Sequence, residues 1–110
     1  MKLMIAIVQD EDASRLVNEL MSEGFTVTKL ATTGGFLRAG NTTLLLGVND
    51  DKLQSAMDII EKVCKSRRHV APQMPAMASA MAGMYSAQPV EVSVGGATVF
   101  VLSVDQFIKM

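Results

Sequence analysis

Twice along this chain an apolar run rich in branched side chains stops abruptly at a cluster of carboxylates: LMIAIVQ runs into DEDASRL, and TTLLLGV runs into NDDKL. Each junction reads as a buried strand feeding a helix, because acidic side chains at a helix N-terminus complement the positive end of its dipole. Two strand-to-helix units within 110 residues leave few architectures open. Both helices must be amphipathic, and both must lie on a sheet built from their own strands.

The pattern between and after these junctions sets the order of elements. Lys2 to Gln9 is the first strand, and the helix that follows carries Leu16, Val17, Leu20 and Met21 as an apolar stripe. Gly24 stands where a left-handed C-terminal cap belongs. From Phe25 to Thr32 the chain alternates, with Phe25, Val27, Lys29 and Ala31 on one face and a threonine-rich opposite face of Thr26, Thr28, Leu30 and Thr32. Gly34-Gly35 breaks this strand, and Thr42 to Val48 forms the third. Asn49-Asp50-Asp51 opens the second helix, with Leu53, Met57, Ile60, Val63 and Cys64 on one side. Arg67-Arg68 is expected to be a solvated end of that helix. A flexible loop rich in Met, Ala and Pro is expected over about 67–89, and PVEVSV, Gly95-Gly96 and ATVFVLSV are expected to close as a terminal hairpin.

This is the order of a single α+β domain over 1–110 of the ferredoxin-like βαββαβ(β) type, an antiparallel sheet with two helices on one face. The strands offer Leu, Val, Ile and Phe to both faces, more than one helical layer covers. Sheets from several subunits are therefore expected to pack together in a closed oligomer.

Composition narrows function mostly by exclusion. Ten Lys+Arg against eleven Asp+Glu give a net charge of −1, so there is no broad positive field for a nucleic acid polymer or an anionic membrane. The opening apolar run is too short to span or insert into a membrane. One cysteine, Cys64, and one histidine, His69, leave no disulfide and no metal-ligand spacing, and a reducing cytoplasm fits best. No nucleophile with a base and no carboxylate dyad can be assembled, so an enzyme is not expected. Cys64 reads as a small buried hydrophobe, and His69 receives no role.

The stretch TKLATTGGFLRAGNTT, residues 28–43, carries the remaining chemistry. Gly34, Gly35 and Gly40 permit close backbone approach to an anion, while threonine hydroxyls and the Asn41 amide supply neutral donors. Phe36, after two glycines, is badly placed for its own core and well placed to stack on a purine. Arg38 reads as a solvated charge. A plain glycine turn between strands satisfies the composition equally well. The spacing of Met74, Met77, Met81 and Met84 leaves a similar choice between a loop and an adaptable partner surface.

The segments IAIVQD, TKLATTGGFLRAGNTT, GVNDD and PVEVSVGGATVFVL, in this order, resemble the PII-like cyclic di-AMP receptor family, which is related in fold to nitrogen-regulatory PII proteins. The resemblance implies a cytoplasmic, non-enzymatic homotrimer with no cofactor. It binds cyclic di-AMP between subunits and relays that state to a downstream protein. It also implies that the ligand is held by Thr28, Gly35, Phe36, Leu37, Asn41 and Gly47, with Phe100 at an adenine pocket. Gly24, Thr26 and Lys109 depart from some relatives, which carry Asn, Arg and Gln there. The alternative, a PII-type sensor of ATP or ADP, lacks its long loop between the second and third strands and its phosphate loop after the second helix. An RNA-binding ferredoxin-like domain would need aromatics on the first strand, which has none.

Overall fold

The computed structural model describes residues 1–30, 40–71 and 90–110. The first expected unit is present as read: β1 spans Lys2–Gln9 and α1 spans Asp10–Ser22, with Asp10, Glu11 and Asp12 in its first turn. Gly24, at φ +89°, ends α1. Its N–H donates to the Met21 carbonyl and the Phe25 N–H donates to the Leu20 carbonyl, each at 3.0 Å, which is the paired hydrogen bonding of a Schellman cap. Phe25 then packs on the core as the hydrophobic contact of that cap. Met21, expected in the apolar stripe, is exposed instead, because the buried stripe is narrowed to Ala13, Leu16 and Leu20.

Strand β2 covers Val27–Leu30 and β3 covers Asn41–Val48. A 3₁₀ turn over Asp50–Lys52 precedes α2, Leu53–Cys64, so the acidic cluster opens a tighter turn before the helix itself begins. The strands β4, Arg67–Ala71, β5, Val90–Val94, and β6, Ala97–Ser103, follow. The main sheet has the order β2-β3-β1-β6 with antiparallel neighbours, as a ferredoxin-like fold requires.

Two expectations are corrected here. The terminal hairpin does not form: β5 pairs with β4 in a separate two-stranded sheet, and β6 pairs with β1. Gly95 and Gly96, at φ +83° and +90°, resemble a tight hairpin turn in sequence. Their N–H groups, however, go to the Gln9 side chain and the Cys64 carbonyl, so the two strands part at that point. Likewise Arg67 is no helix end, since α2 stops at Cys64 and Arg67–Ala71 is strand, not the start of a loop.

The core lies between the sheet and the two helices. Met4, Ala6 and Val8 of β1 and Leu44, Leu46 and Val48 of β3 meet Leu16 and Leu20 of α1 and Ala56, Ile60, Val63 and Cys64 of α2. Strand alternation then sends Leu3, Ile5 and Ile7 to the opposite, helix-free face.

Candidate functional site: the helix-free face and its groove

Register identifies what shares that face. Ile5 is opposite Leu45 on one side and Phe100 on the other, and Leu45 is opposite Thr28. Directly opposed residues project to the same side of a sheet, so Thr28, Leu45, Ile5 and Phe100 form one row across all four strands. A parallel row joins Gly47, Leu3 and Leu102. Phe100 is 52% exposed and Leu102 46%, so β6 carries a large apolar surface that the other described residues do not cover.

A groove of about 670 Å³ lies on this side of the molecule. Its sheet wall includes Leu3, Thr26, Thr28, Leu45 and Gly47, and its other wall is the C-terminal segment with Phe107, Ile108 and Lys109. The segment is tied down where the Val104 N–H donates to the Met1 carbonyl at 3.2 Å. Threonine hydroxyls, one lysine ammonium and an apolar floor suit a ligand with flat rings and localised negative charge. A Cβ at Gly47 would meet nothing within 4 Å, so the space beside this position is open.

Of the residues expected to hold ligand, Thr28 and Gly47 line this groove, and Phe100 lies on the same face outside its lining. Three strand spacings, about 14 Å in all, separate Phe100 from Thr28 within one chain. Asn41 begins β3 beside Gln9 and is half-buried. Gly35, Phe36 and Leu37 lie outside the described residues, as do Arg38 and the methionines from Met74 to Met84. Thr26 and Lys109 are both wall residues of the groove. Phe107 and Ile108 were not anticipated; an apolar pair next to the C-terminus carries no periodic signal.

A second polar centre lies at the junction of β1 and α1, and sequence reading missed it. Asp12 is buried in the first turn of α1, and Arg67 of β4 donates to it twice, Nη2 to Oδ1 at 2.8 Å and Nη1 to Oδ2 at 3.3 Å. The hydrogen bond to Asp12 raises the Arg67 pKa above its ordinary value. Cys64 lies close by, and burial, with a smaller contribution from the Asp12 charge, pushes its thiol up to about 11. It is therefore a neutral packing group, as expected for an apolar helix side. Among the described residues no group of His, Cys, Asp and Glu could hold a metal ion, and no helix is long and apolar enough to cross a membrane.

Fold and face together define a ferredoxin-like α+β protein of the PII-like type, with its candidate ligand surface on the side of the sheet away from the helices. The chain matches the family model described as "Cyclic-di-AMP receptor" over residues 1–110, and it belongs to that family. It is also similar to the crystal structure of a functionally unknown protein from Pediococcus pentosaceus, at 40% identity and a TM-score of 0.75, covering 99% of this chain and 96% of the other. The family is one of receptors, not of enzymes.

Proposed function

We propose that the chain is a single PII-like domain that assembles as a cytoplasmic homotrimer, binds cyclic di-AMP between neighbouring subunits, and relays occupancy through loop rearrangement to a downstream protein. The observation that carries this reading is the common face of Thr28, Gly47 and Phe100 in a member of the cyclic-di-AMP receptor family. Thr28 and Phe100 stand at opposite edges of one sheet, so a ligand between subunits takes Thr28 from one chain and Phe100 from the next. Cyclic di-AMP has two adenines to stack and two phosphodiester charges to satisfy. Phe36 and Phe100 serve the rings, while Thr28, Asn41 and the glycine-bearing backbone of Gly35, Leu37 and Gly47 serve the polar edges and phosphates.

Calorimetric titration with cyclic di-AMP, cyclic di-GMP, ATP and cyclic AMP tests the reading. Cyclic di-AMP is expected to bind, and cyclic di-GMP much less well, since guanine presents a carbonyl where adenine presents an amino group. Binding of ATP without cyclic di-AMP would overturn the reading in favour of an adenine-nucleotide sensor.

A further inference from the structure

Three residues within one short stretch, Gln9, Asp10 and Asp12, hold the ends of two segments that are far apart in sequence. Gly40, Asn41 and Thr42 lead out of the glycine-rich stretch into β3. Asp10 grips them from two directions: its N–H donates to the Gly40 carbonyl at 2.8 Å, and its carboxylate accepts the hydroxyl hydrogen of Thr42. Between those two contacts stands Asn41, whose register partner on β1 is Gln9.

Gln9 also reaches the other segment. Its side-chain Oε1 accepts the Gly95 N–H at 2.7 Å, at the point where β5 leaves its pairing with β4 and the chain turns into β6. Asp12 adds a second tether through Arg67 of β4. The two tethers converge, because a Cβ on Gly95 would lie 2.5 Å from Arg67 Nη1 and 2.9 Å from the Lys65 carbonyl, and Gly95 has a left-handed φ. The Gly96 N–H closes the same knot on the Cys64 carbonyl. The β4–β5 pair is thus rooted on residues that directly adjoin the root of the glycine-rich stretch.

We propose that Gln9 is a positioning residue that couples Asn41 to the β4–β5 pair: its backbone is registered with Asn41 and its side chain fixes Gly95. The coupling rests on the reading that cyclic di-AMP contacts Asn41. The Gln9–Gly95 bond is 2.7 Å long, and a separation of about 3.6 Å is no longer a hydrogen bond, so a shift of about 1 Å in β1 at Gln9 makes or releases it. Gly95 and Gly96 provide the backbone freedom for β5 to respond. Coupling is reciprocal, so anything that binds β4–β5 and shifts it would also alter nucleotide affinity.

Amide hydrogen exchange on the full chain, with and without cyclic di-AMP, tests this in wild type, Gln9→Leu and Gln9→Glu. In wild type the nucleotide is expected to change exchange over 67–71 and 90–96 by about fivefold or more. Gln9→Leu, which removes the acceptor, still binds nucleotide and loses that response, and Gln9→Glu, which keeps an Oε1 acceptor, restores it. A Gln9→Leu response equal to wild type overturns the coupling. A parallel comparison without nucleotide separates this from failure of the receptor reading. Asp10→Ala, which releases the glycine-rich root, should raise exchange over 93–97 when Gln9 is present and leave it unchanged in Gln9→Leu, whereas Asp10→Asn, keeping an acceptor for Thr42, should behave as wild type. An Asp10→Ala effect that does not depend on Gln9 overturns the proposal even if the nucleotide binds.

Discussion

The two faces of the main sheet are both apolar, yet they are treated in opposite ways. On the helix side Met4, Ala6, Leu44 and Leu46 are fully buried, closed over by Leu16, Leu20, Ala56 and Ile60. On the other side Ile5 and Leu45 are only half-buried, and Phe100 and Leu102 are largely exposed. Scattered exposed hydrophobics need no explanation, but rows of neighbouring apolar side chains, Leu45, Ile5 and Phe100 in one and Leu3 and Leu102 in the other, do. One face specifies the fold of the chain. The other leaves the same kind of side chain exposed, and it is there that the proposed trimer and its ligand would meet.

Substitutions on opposite faces should therefore fail in different assays. The largest effect belongs to the covered face: Leu44→Ala removes a side chain with no exposure and should cost about 2–5 kcal/mol of unfolding free energy, read by denaturant titration. A loss below about 1 kcal/mol would mean that the core collapses around the cavity and that this face is less committed than it looks. On the helix-free face, Leu102→Lys should leave far-UV circular dichroism unchanged and break the proposed trimer. Light scattering would then report a mass near the 11.8 kDa chain in place of about three times that value. A variant that remains trimeric would remove Leu102 from the interface.

The same contrast explains what the sequence made legible. Strand β1 was bounded to the residue because Lys2–Gln9 combines continuous apolar character with an immediate acidic stop. The cap at Gly24 followed from a residue type that the geometry favours. Assignment of Thr28 to the face opposite Val27 needed only the period of two. What failed was pairing. PVEVSV-GG-ATVFVL has the local chemistry of a hairpin, and local chemistry cannot see that Gln9 and Cys64 claim the two glycine N–H groups. Arg67 failed for a related reason, since its partner Asp12 is 55 residues away and the α2 end gave it a sufficient local explanation. The candidate site was legible mainly through resemblance; composition alone left the glycine-rich stretch divided between a turn and a pocket.

Between these extremes stands the ligand surface, where single contacts are worth less than a core side chain. Phe36→Ala should weaken cyclic di-AMP by about 1–3 kcal/mol, the usual worth of one stacking platform, without changing the oligomer. Asn41→Ala should cost about 1–2 kcal/mol by leaving a polar group unpaired in a dehydrated cleft. Calorimetry reads both. Unchanged affinity in Phe36→Ala would show that the ring does not meet a base, and the adenines would then have to rest on Phe100 and the groove beside Thr28.

The last test asks whether the covered face stays dry. Cys64 is 1% exposed, and burial first, then the Asp12 charge, lift its thiol to about 11, with Arg67 and Arg15 pulling weakly the other way. An unfolded cysteine ionises near about 8.5, so the folded state holds the proton more tightly than the unfolded state does. The stability this contributes is fully present below about pH 8.5 and is lost as pH rises through about 11. Wild type should therefore lose more unfolding free energy than Cys64→Ala between pH 8.5 and 11, each referred to its own value at pH 7. At pH 8 the native thiol should resist iodoacetamide, while the denatured chain reacts readily. Rapid alkylation of the native protein would mean that water reaches the core beside α2, and the contrast between a closed face and an open one would no longer hold at that end of the sheet.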